Sequence, residues 1–471
     1  MTVAIREPDS IALGPEERVH GLCDPGSFQP LRSGVVSRRA GAPTRAGDGV
    51  LAGAGEVLGR PVFCYAQDPG FMGGSLGEAH ADSIVRVMEL AGRAGAPVVG
   101  FVQSGGARLQ EGHAALAGYG RIFRASVQLS RRVPQLTVVG GVSAGGGAYS
   151  PALTDFVVMT EDSRMFLTGP KVVRQALGEE VSMEELGGPR VHERNGVCQL
   201  VADTDLEAAG LARELLGLLP QVIGATPQRL DAIEPHGPEP ATPVPSEPRR
   251  VYDVREVARA VVDGGTLLEL SARWARNMVT ALARIDGRPV GIIANQPRRL
   301  GGVIDAAAAE KAALFVAACD RFGLPLVVLV DTPGFMPGAQ QERDGVIRHG
   351  ASLLRAFAGA TVPRLTVVLR KAYGGAVITM NSKDLGADLV FAWPQAEIGI
   401  MAASQAVGIV HRRRLAELDD DGNGASELAA AYAEEHLTAE AAAASGFIDQ
   451  VIDPSETRAS LAWGLASLER R

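Results

Sequence analysis

What most constrains this chain is that it contains itself twice. Gly59-Arg60-Pro61-Val62 recurs as Gly287-Arg288-Pro289-Val290, and Gly73-Gly74 recurs as Gly301-Gly302. Ala96-Pro97-Val98-Val99 matches Leu324-Pro325-Leu326-Val327, and Ser104-Gly105-Gly106 matches Thr332-Pro333-Gly334. All four pairs share an offset of 228 residues. Pro134–Val139 then matches Pro363–Val368, and Gly145-Gly146 matches Gly374-Gly375, at 229. Six anchors in one order, drifting by a single residue, mean a duplication: whatever one half folds into, the other folds into too. Ala225 to Arg250 carries seven prolines between the copies and reads as an extended linker. The domains are therefore expected at 1–224 and 251–471, with the linker at 225–250.

Each copy follows the same plan. A short apolar run (Val62–Ala66; Val290–Ala294) ends in a glycine-rich turn. An alanine-rich helical pattern follows, near Leu76–Arg93 and Asp305–Phe322. Next comes an unbroken apolar strand, Pro97–Val102 or Pro325–Val330, the mark of a parallel sheet covered on both faces. A second strand (Leu136–Val142; Leu365–Leu369) leads into paired glycines, after which Ala148–Leu153 and Ala376–Met380 can begin helices. Strand, helix, strand, helix is the α/β signature.

Several function classes are excluded. A net charge of -8 argues against a nucleic-acid surface. Cys23, Cys64, Cys198 and Cys319 are dispersed, with no CxxC pair, which predicts neither zinc ribbon nor disulfide framework and fits a reducing, cytoplasmic setting. His80, His113 and His192 lack ligand-like spacing, so no metal site is expected. The N-terminal stretch has no apolar signal core, and no run of about 18 apolar residues suggests a membrane span.

The chemistry concentrates in glycine turns. In Val142–Tyr149 a buried strand enters Ser143-Ala144-Gly145-Gly146-Gly147 and a helix leaves it. Glycine keeps the amides unobstructed, and the first N–H groups of a helix have no partner within it. Such a turn can hold a developing oxyanion. The second copy repeats it at Arg370–Ala376. Two further turns, Ser104–Arg108 and Asp331–Phe335, end the other strands. One such turn alone needs only packing to explain it; four at equivalent places point to function. Arg108 and Lys371, beside the turns, suit either a phosphate or carboxylate or an ordinary surface role. Gly141-Val142-Ser143-Ala144-Gly145 is also a literal G-x-S-x-G, which would make Ser143 a hydrolase nucleophile, with Asp331 and His349, His411 or His436 as partners. Against this, the second copy keeps the glycines but places Ala372 where Ser143 stands.

The segments Phe71–His80, Ser104–Gly112, Tyr149–Phe156, Phe166–Pro170, Val330–Phe335 and Leu369–Ala376 together resemble the carboxyltransferase (β) subunit of biotin-dependent acyl-CoA carboxylases of the acetyl/propionyl-CoA type. The likeness runs from about Glu17 to about Arg458. It implies two tandem crotonase-like domains of the ClpP/crotonase superfamily, the first on the acyl-CoA side and the second on the biotin side. It also implies a ring-shaped homo-hexamer with the site formed between two subunits. The implied partners are a biotin carboxylase and a biotin carboxyl carrier subunit. Biotin rides on the carrier; this chain has no Met-Lys-Met attachment signal. In such enzymes carboxybiotin releases carbon dioxide, the ureido nitrogen takes the α-proton, and the enolate attacks the carbon dioxide. No side-chain nucleophile is needed.

Carried over by position, the Gly145 and Gly146 amides would hold the thioester enolate oxygen, and those of Gly375 and Ala376 the ureido oxygen of biotin. The resemblance makes Gly105, Gly106, Ala107, Arg108, Ser143, Gly147, Tyr149, Gly334, Phe335, Tyr373, Gly374 and Ile378 substrate-binding residues. Ile378 matches a position that helps select acyl chain length. A decarboxylase or transcarboxylase working from malonyl-type thioesters is the alternative, because the half-reaction is reversible. The sequence departs from the pattern at Met401–Ala406, where the family's M-G-x-x-G-A loses both glycines, at Val377, which replaces a common aromatic, and in a shorter stretch between Phe28 and Gly47. These departures suggest a specialised acyl substrate.

Overall fold

The computed structural model describes residues 13–37, 39, 44–247, 250–415 and 423–469. The chain forms two compact units, Met1–Ala225 and Thr226–Arg471. The first contains strands β1 (Gln29–Leu31), β2 (Val50–Val57), β3 (Arg60–Gln67), β4 (Val98–Ser104), β5 (Gln135–Ala144), β6 (Phe156–Thr160), β7 (Arg164–Phe166) and β8 (Leu200–Ala202). The second contains β9 (Leu268–Leu270), β10 (Met278–Ile285), β11 (Arg288–Asn295), β12 (Leu326–Thr332), β13 (Arg364–Tyr373), β14 (Leu389–Ala392), β15 (Glu397–Gly399) and β16 (Gln450–Val451).

The duplication is literal in three dimensions. The first sheet runs β1-β2-β3-β4-β5-β6-β8 with β7 on β5; the second runs β9-β10-β11-β12-β13-β14-β16 with β15 on β13. In each, a three-stranded antiparallel edge gives way to parallel strands. The antiparallel hairpins turn on Leu58-Gly59 and Asp286-Gly287, whose φ values (54° and 69°; 52° and 75°) are both positive. A two-residue hairpin of that hand needs such values, and glycine at its second position supplies them without strain. The parallel strands are separated by 17-residue helices, Glu78–Ala94 and Ala306–Phe322, which end on left-handed glycines, Gly95 (φ 65°) and Gly323 (φ 67°).

Burial follows from this layering. Val327, Val328, Leu329 and Val330 of β12 are all buried, as expected for a parallel strand covered on both faces. The core of the second unit includes Phe391 and Trp393, whose indole N–H donates to Thr457 Oγ1 at 2.9 Å. The proline-rich segment forms no helix or strand among its described residues, but it is held. Leu230 N–H donates to Gly287 O at 3.0 Å. Arg458 reaches the carbonyl of Ile233, and Arg370 those of Glu247 and Arg250. Prolines withdraw donors, leaving carbonyls that these arginines satisfy, so the segment lies on the second unit.

Candidate active site

In the first unit β5 ends at Ala144, Gly145 (φ 60°, ψ -123°) follows as the cap, and the helix Gly146–Ala152 begins. The Gly145 amide, expected to be an oxyanion donor, instead donates to Phe166 O at 3.1 Å and so extends the β5–β7 ladder. The amides at the helix start are those of Gly146 and Gly147, which have no carbonyl one turn earlier to bind. In the second unit the positive-φ glycine after β13 is Gly374 (φ 62°), the counterpart of Gly145 at offset 229, here the first residue of the helix Gly374–Thr379. Gly375 and Ala376 therefore correspond to Gly146 and Gly147, one residue on from the Gly145–Gly146 pair.

The other turn lies alongside. Leu76 N–H donates to Gly106 O and Arg108 N–H to Leu76 O, both at 2.9 Å. This bridge uses the carbonyl before Ala107 and the amide after it, leaving the Ala107 amide outside. The same bridge joins Ile304 to Gly334 and Met336 (3.0 and 2.8 Å), with Phe335 in the place of Ala107. Gly105 N–H is used by Gly73 O and Gly106 N–H by Ser104 Oγ. The two turns meet because β4 and β5 pair Ser104 with Ser143, and β12 and β13 pair Thr332 with Ala372. A Cβ on Gly106 would stand 3.6 Å from Ala144 O, and one on Gly146 would stand 2.7 Å from the Tyr119 ring. Tyr119, whose hydroxyl is 3.1 Å from Ser104 Oγ, thus forms the floor of the turn and escaped the sequence reading. Tyr149 is half-exposed, edge-on to Phe123.

Two expected residues take other roles. Ser143 is fully buried, and its hydroxyl donates to Gly147 O at 2.9 Å, pinning the turn. Among the described residues no hydrogen bond joins it to a base, and two of its supposed partners are engaged elsewhere. Asp331 pairs with Arg370 at 3.1 Å, and His349 lies 3.8 Å from Glu310. Ser143 therefore lends the hydrolase reading no support. Arg108 is not offered to a substrate either. It is buried against Asp48 (2.6 Å) and Glu111 (2.8 Å), donates to the carbonyls of Asp48 and Ser75, and stacks on Phe71. Burial raises the Asp48 carboxyl, opposed by Arg108. Glu111, three residues from Arg108, could have been foreseen; Asp48, sixty residues away, carries no local signal.

In the second unit, Gly374, Gly375, Val377 and Ile378 open onto a cavity of about 670 Å³, also lined by Ile398, Ile400, Glu435, His436, Ala441, Ala442 and Phe447. Ile378 is 45% exposed, and a Cβ on Gly375 would meet open space, so both face that volume. Tyr373 is buried and bonds through its hydroxyl to Glu397; burial raises its phenol pKa. Phe335 packs against Gly350. Burial lowers the Lys371 ammonium pKa, with Arg370 adding repulsion. At Met401–Ala406, Ala402 (φ -59°, ψ 146°) stands at the N-cap of the helix Ala403–Val410 without a side-chain cap bond, and Gln405 lies inside that helix, where glycine would be the less favourable residue. No three His, Cys, Asp or Glu side chains gather as a metal site among the described residues.

Residues 13–471 match the carboxyl transferase domain family. The methylmalonyl-CoA carboxyltransferase 12S subunit of Propionibacterium freudenreichii subsp. shermanii is 45% identical over 462 residues, covering 95% of this chain and 87% of that one. The biotin-dependent acetyl-/propionyl-coenzyme A carboxylase beta5 subunit of Mycobacterium tuberculosis is 44% identical over 475 residues, covering 97% and 86%. A crystal structure of the transcarboxylase 12S hexamer with methylmalonyl-coenzyme A and methylmalonic acid bound superposes with a TM-score of 0.93 at 44% identity, covering 97% of this chain and 90% of that one. The two glycine-turn units thus have the architecture of these relatives, and the chain belongs to the carboxyl transferase family.

Proposed function

We propose that this chain is the carboxyltransferase subunit of a biotin-dependent acyl-CoA carboxylase, moving a carboxyl group from carboxybiotin on a separate carrier to the α-carbon of an acyl-CoA. The observation that carries this is the duplicated helix start, Gly146-Gly147 and Gly375-Ala376, each placed where a strand ends. In the first unit the Gly146 and Gly147 amides, beside that of Ala107, would hold the oxygen of a thioester as it becomes an enolate. Fixed backbone donors need no reorganisation as the charge develops, and losing one costs roughly 3–4 kcal/mol in other enzymes.

The second unit suits a urea-type carbonyl. Its cavity is mostly apolar, its turn carries no side chain at Gly375, and the amides of Gly375 and Ala376 would receive the ureido oxygen. Biotin, when bound there, supplies the transferable carboxyl group on its ring nitrogen. Gly334, Phe335, Tyr373 and Gly374 shape this side, and Ile378 presents a branched apolar surface suited to an alkyl tail. The partners would be a biotin carboxylase and a carrier subunit. A hexamer, the assembly named for the 12S neighbour, is the oligomer we expect, and the dispersed free thiols support a cytoplasmic setting.

The test is transfer from malonyl-CoA and methylmalonyl-CoA to free biotin by the purified chain. Biotin-dependent loss of either thioester supports the proposal; none from a folded oligomer, even with a biotinylated carrier and a wider thioester panel, would refute it. The 45% identity to a carboxyltransferase 12S subunit favours transcarboxylation as a second reading. Carboxyl exchange between thioesters that continues in a reconstituted system without ATP would select it.

A further inference from the structure

The turn Met72–Gly74 and its repeat Leu300–Gly302 share one backbone, with φ values of 55°, 62° and 69° against 51°, 64° and 81°. The charges beside them differ. Gly70, Phe71 and Asp48 of the first copy correspond, at offset 228, to Arg298, Arg299 and Arg276 of the second. Asp48 is neutralised by Arg108, whose counterpart is Met336. The turn itself therefore does not require the arginines.

In the second unit these three arginines, with Asp253, Arg255 and Gln296, line a pocket of about 160 Å³. Two carboxylates serve two of its four guanidinium groups. Glu269 takes Arg255 at 2.6 and 2.8 Å. Asp253 takes Arg255 at 3.3 Å and Arg298 at 3.4 Å, and accepts a bond from Gln296 at 2.6 Å. Arg276 and Arg299 are exposed and form no ion pair among the described residues. Like charges converging on a small concave pocket repel one another unless an anion joins them. Guanidinium forks match the oxygen spacing of phosphate. A groove along Pro243, Pro245, Arg250 and Tyr252 shares Asp253 and Arg298 with the pocket, giving room for the body of a larger ligand.

We infer that this pocket is a binding site for a phosphate-class oxyanion, held by Arg276 and Arg299 with Arg298 at its edge. Its lining shares no residue with the cavity at the amides assigned to carboxyl transfer, so it stands whether or not that assignment holds. The experiment is calorimetric titration of the intact protein with inorganic phosphate and with AMP, at ionic strength fixed with chloride. Saturable binding that weakens roughly tenfold or more in R276A and in R299A, as for loss of a charge-assisted bond, but not in R86A, is the expected result. Neither arginine has a side-chain partner to lose among the described residues, and thermal melts matching wild type verify folding. AMP binding tighter than phosphate would identify the source as a phosphorylated ligand lying in the groove; equal affinity would identify free phosphate. No saturable binding, or equal binding by wild type and both variants, would overturn the inference.

Discussion

At Gly146 the chain uses both an amide and the absence of a side chain. A methyl group there would press into the Tyr119 ring at 2.7 Å, and a ring held at the floor of a turn cannot step aside cheaply. G146A is expected to lower kcat/KM by about 10²–10³-fold through displacement of the helix start, a loss comparable to removing an oxyanion donor. S143A, which loses only the bond to Gly147 O, should cost about 1 kcal/mol of stability and leave turnover within about tenfold. Steady-state kinetics of the two variants side by side checks this; an inactive but folded S143A would restore the nucleophile reading. His80 offers a pH signature. Burial, with Arg108 nearby, lowers its pKa to about 3 from 6.5. Between these values the unfolded chain binds the extra proton, so the contribution of neutral His80 is complete above about pH 6.5 and drains away as pH falls toward 3. Urea midpoints measured from pH 7 to 4 should fall less steeply in H80Q; an unchanged slope would assign the acid loss to other groups.

Among elements, the Ser104–Arg108 turn is tied to the start of β2 by the buried Arg108–Asp48–Glu111 cluster. R108M would leave two buried carboxylates without their cation, and a loss of about 3–5 kcal/mol in chemical denaturation is expected. A near-neutral result would mean that water or rearranged partners satisfy the acids. The helix start Gly374–Thr379 allows amide and side chain to be separated. An added Cβ at Gly375 meets nothing within 4 Å, so G375A should retain biotin-dependent turnover, whereas G375P removes the N–H and should abolish it while acyl-CoA still binds. Equal activities would exclude that amide from the chemistry. Here the limit of sequence reading is visible. The offset of 228 located both turns and both central strands, because glycine spacing and unbroken apolar runs are local signals. It could not tell that Gly145 N–H is consumed by Phe166 O, since β7 joins β5 from twenty residues downstream. Nor could it show Arg108 buried, because Asp48 reaches it across the sheet. The proline-rich segment likewise read as a linker from its composition, while its carbonyls are held by arginines far along the chain.

For the whole molecule, the duplication meant that reading one unit's fold gave the other's, and the strand orders agree throughout. Side chains have diverged far more than backbone: Ser143 against Ala372, Ala107 against Phe335, Gly70 against Arg298. Trp393 belongs to the same divergence. Its indole is buried in the second unit, and the other two tryptophans, Trp274 and Trp463, lie in that unit as well. Tryptophan fluorescence, excited selectively over tyrosine, is therefore blind to the first unit, while circular dichroism sees both. Comparing the two signals through one denaturant series would show directly whether the halves melt as one body or in succession, without a label or an engineered probe.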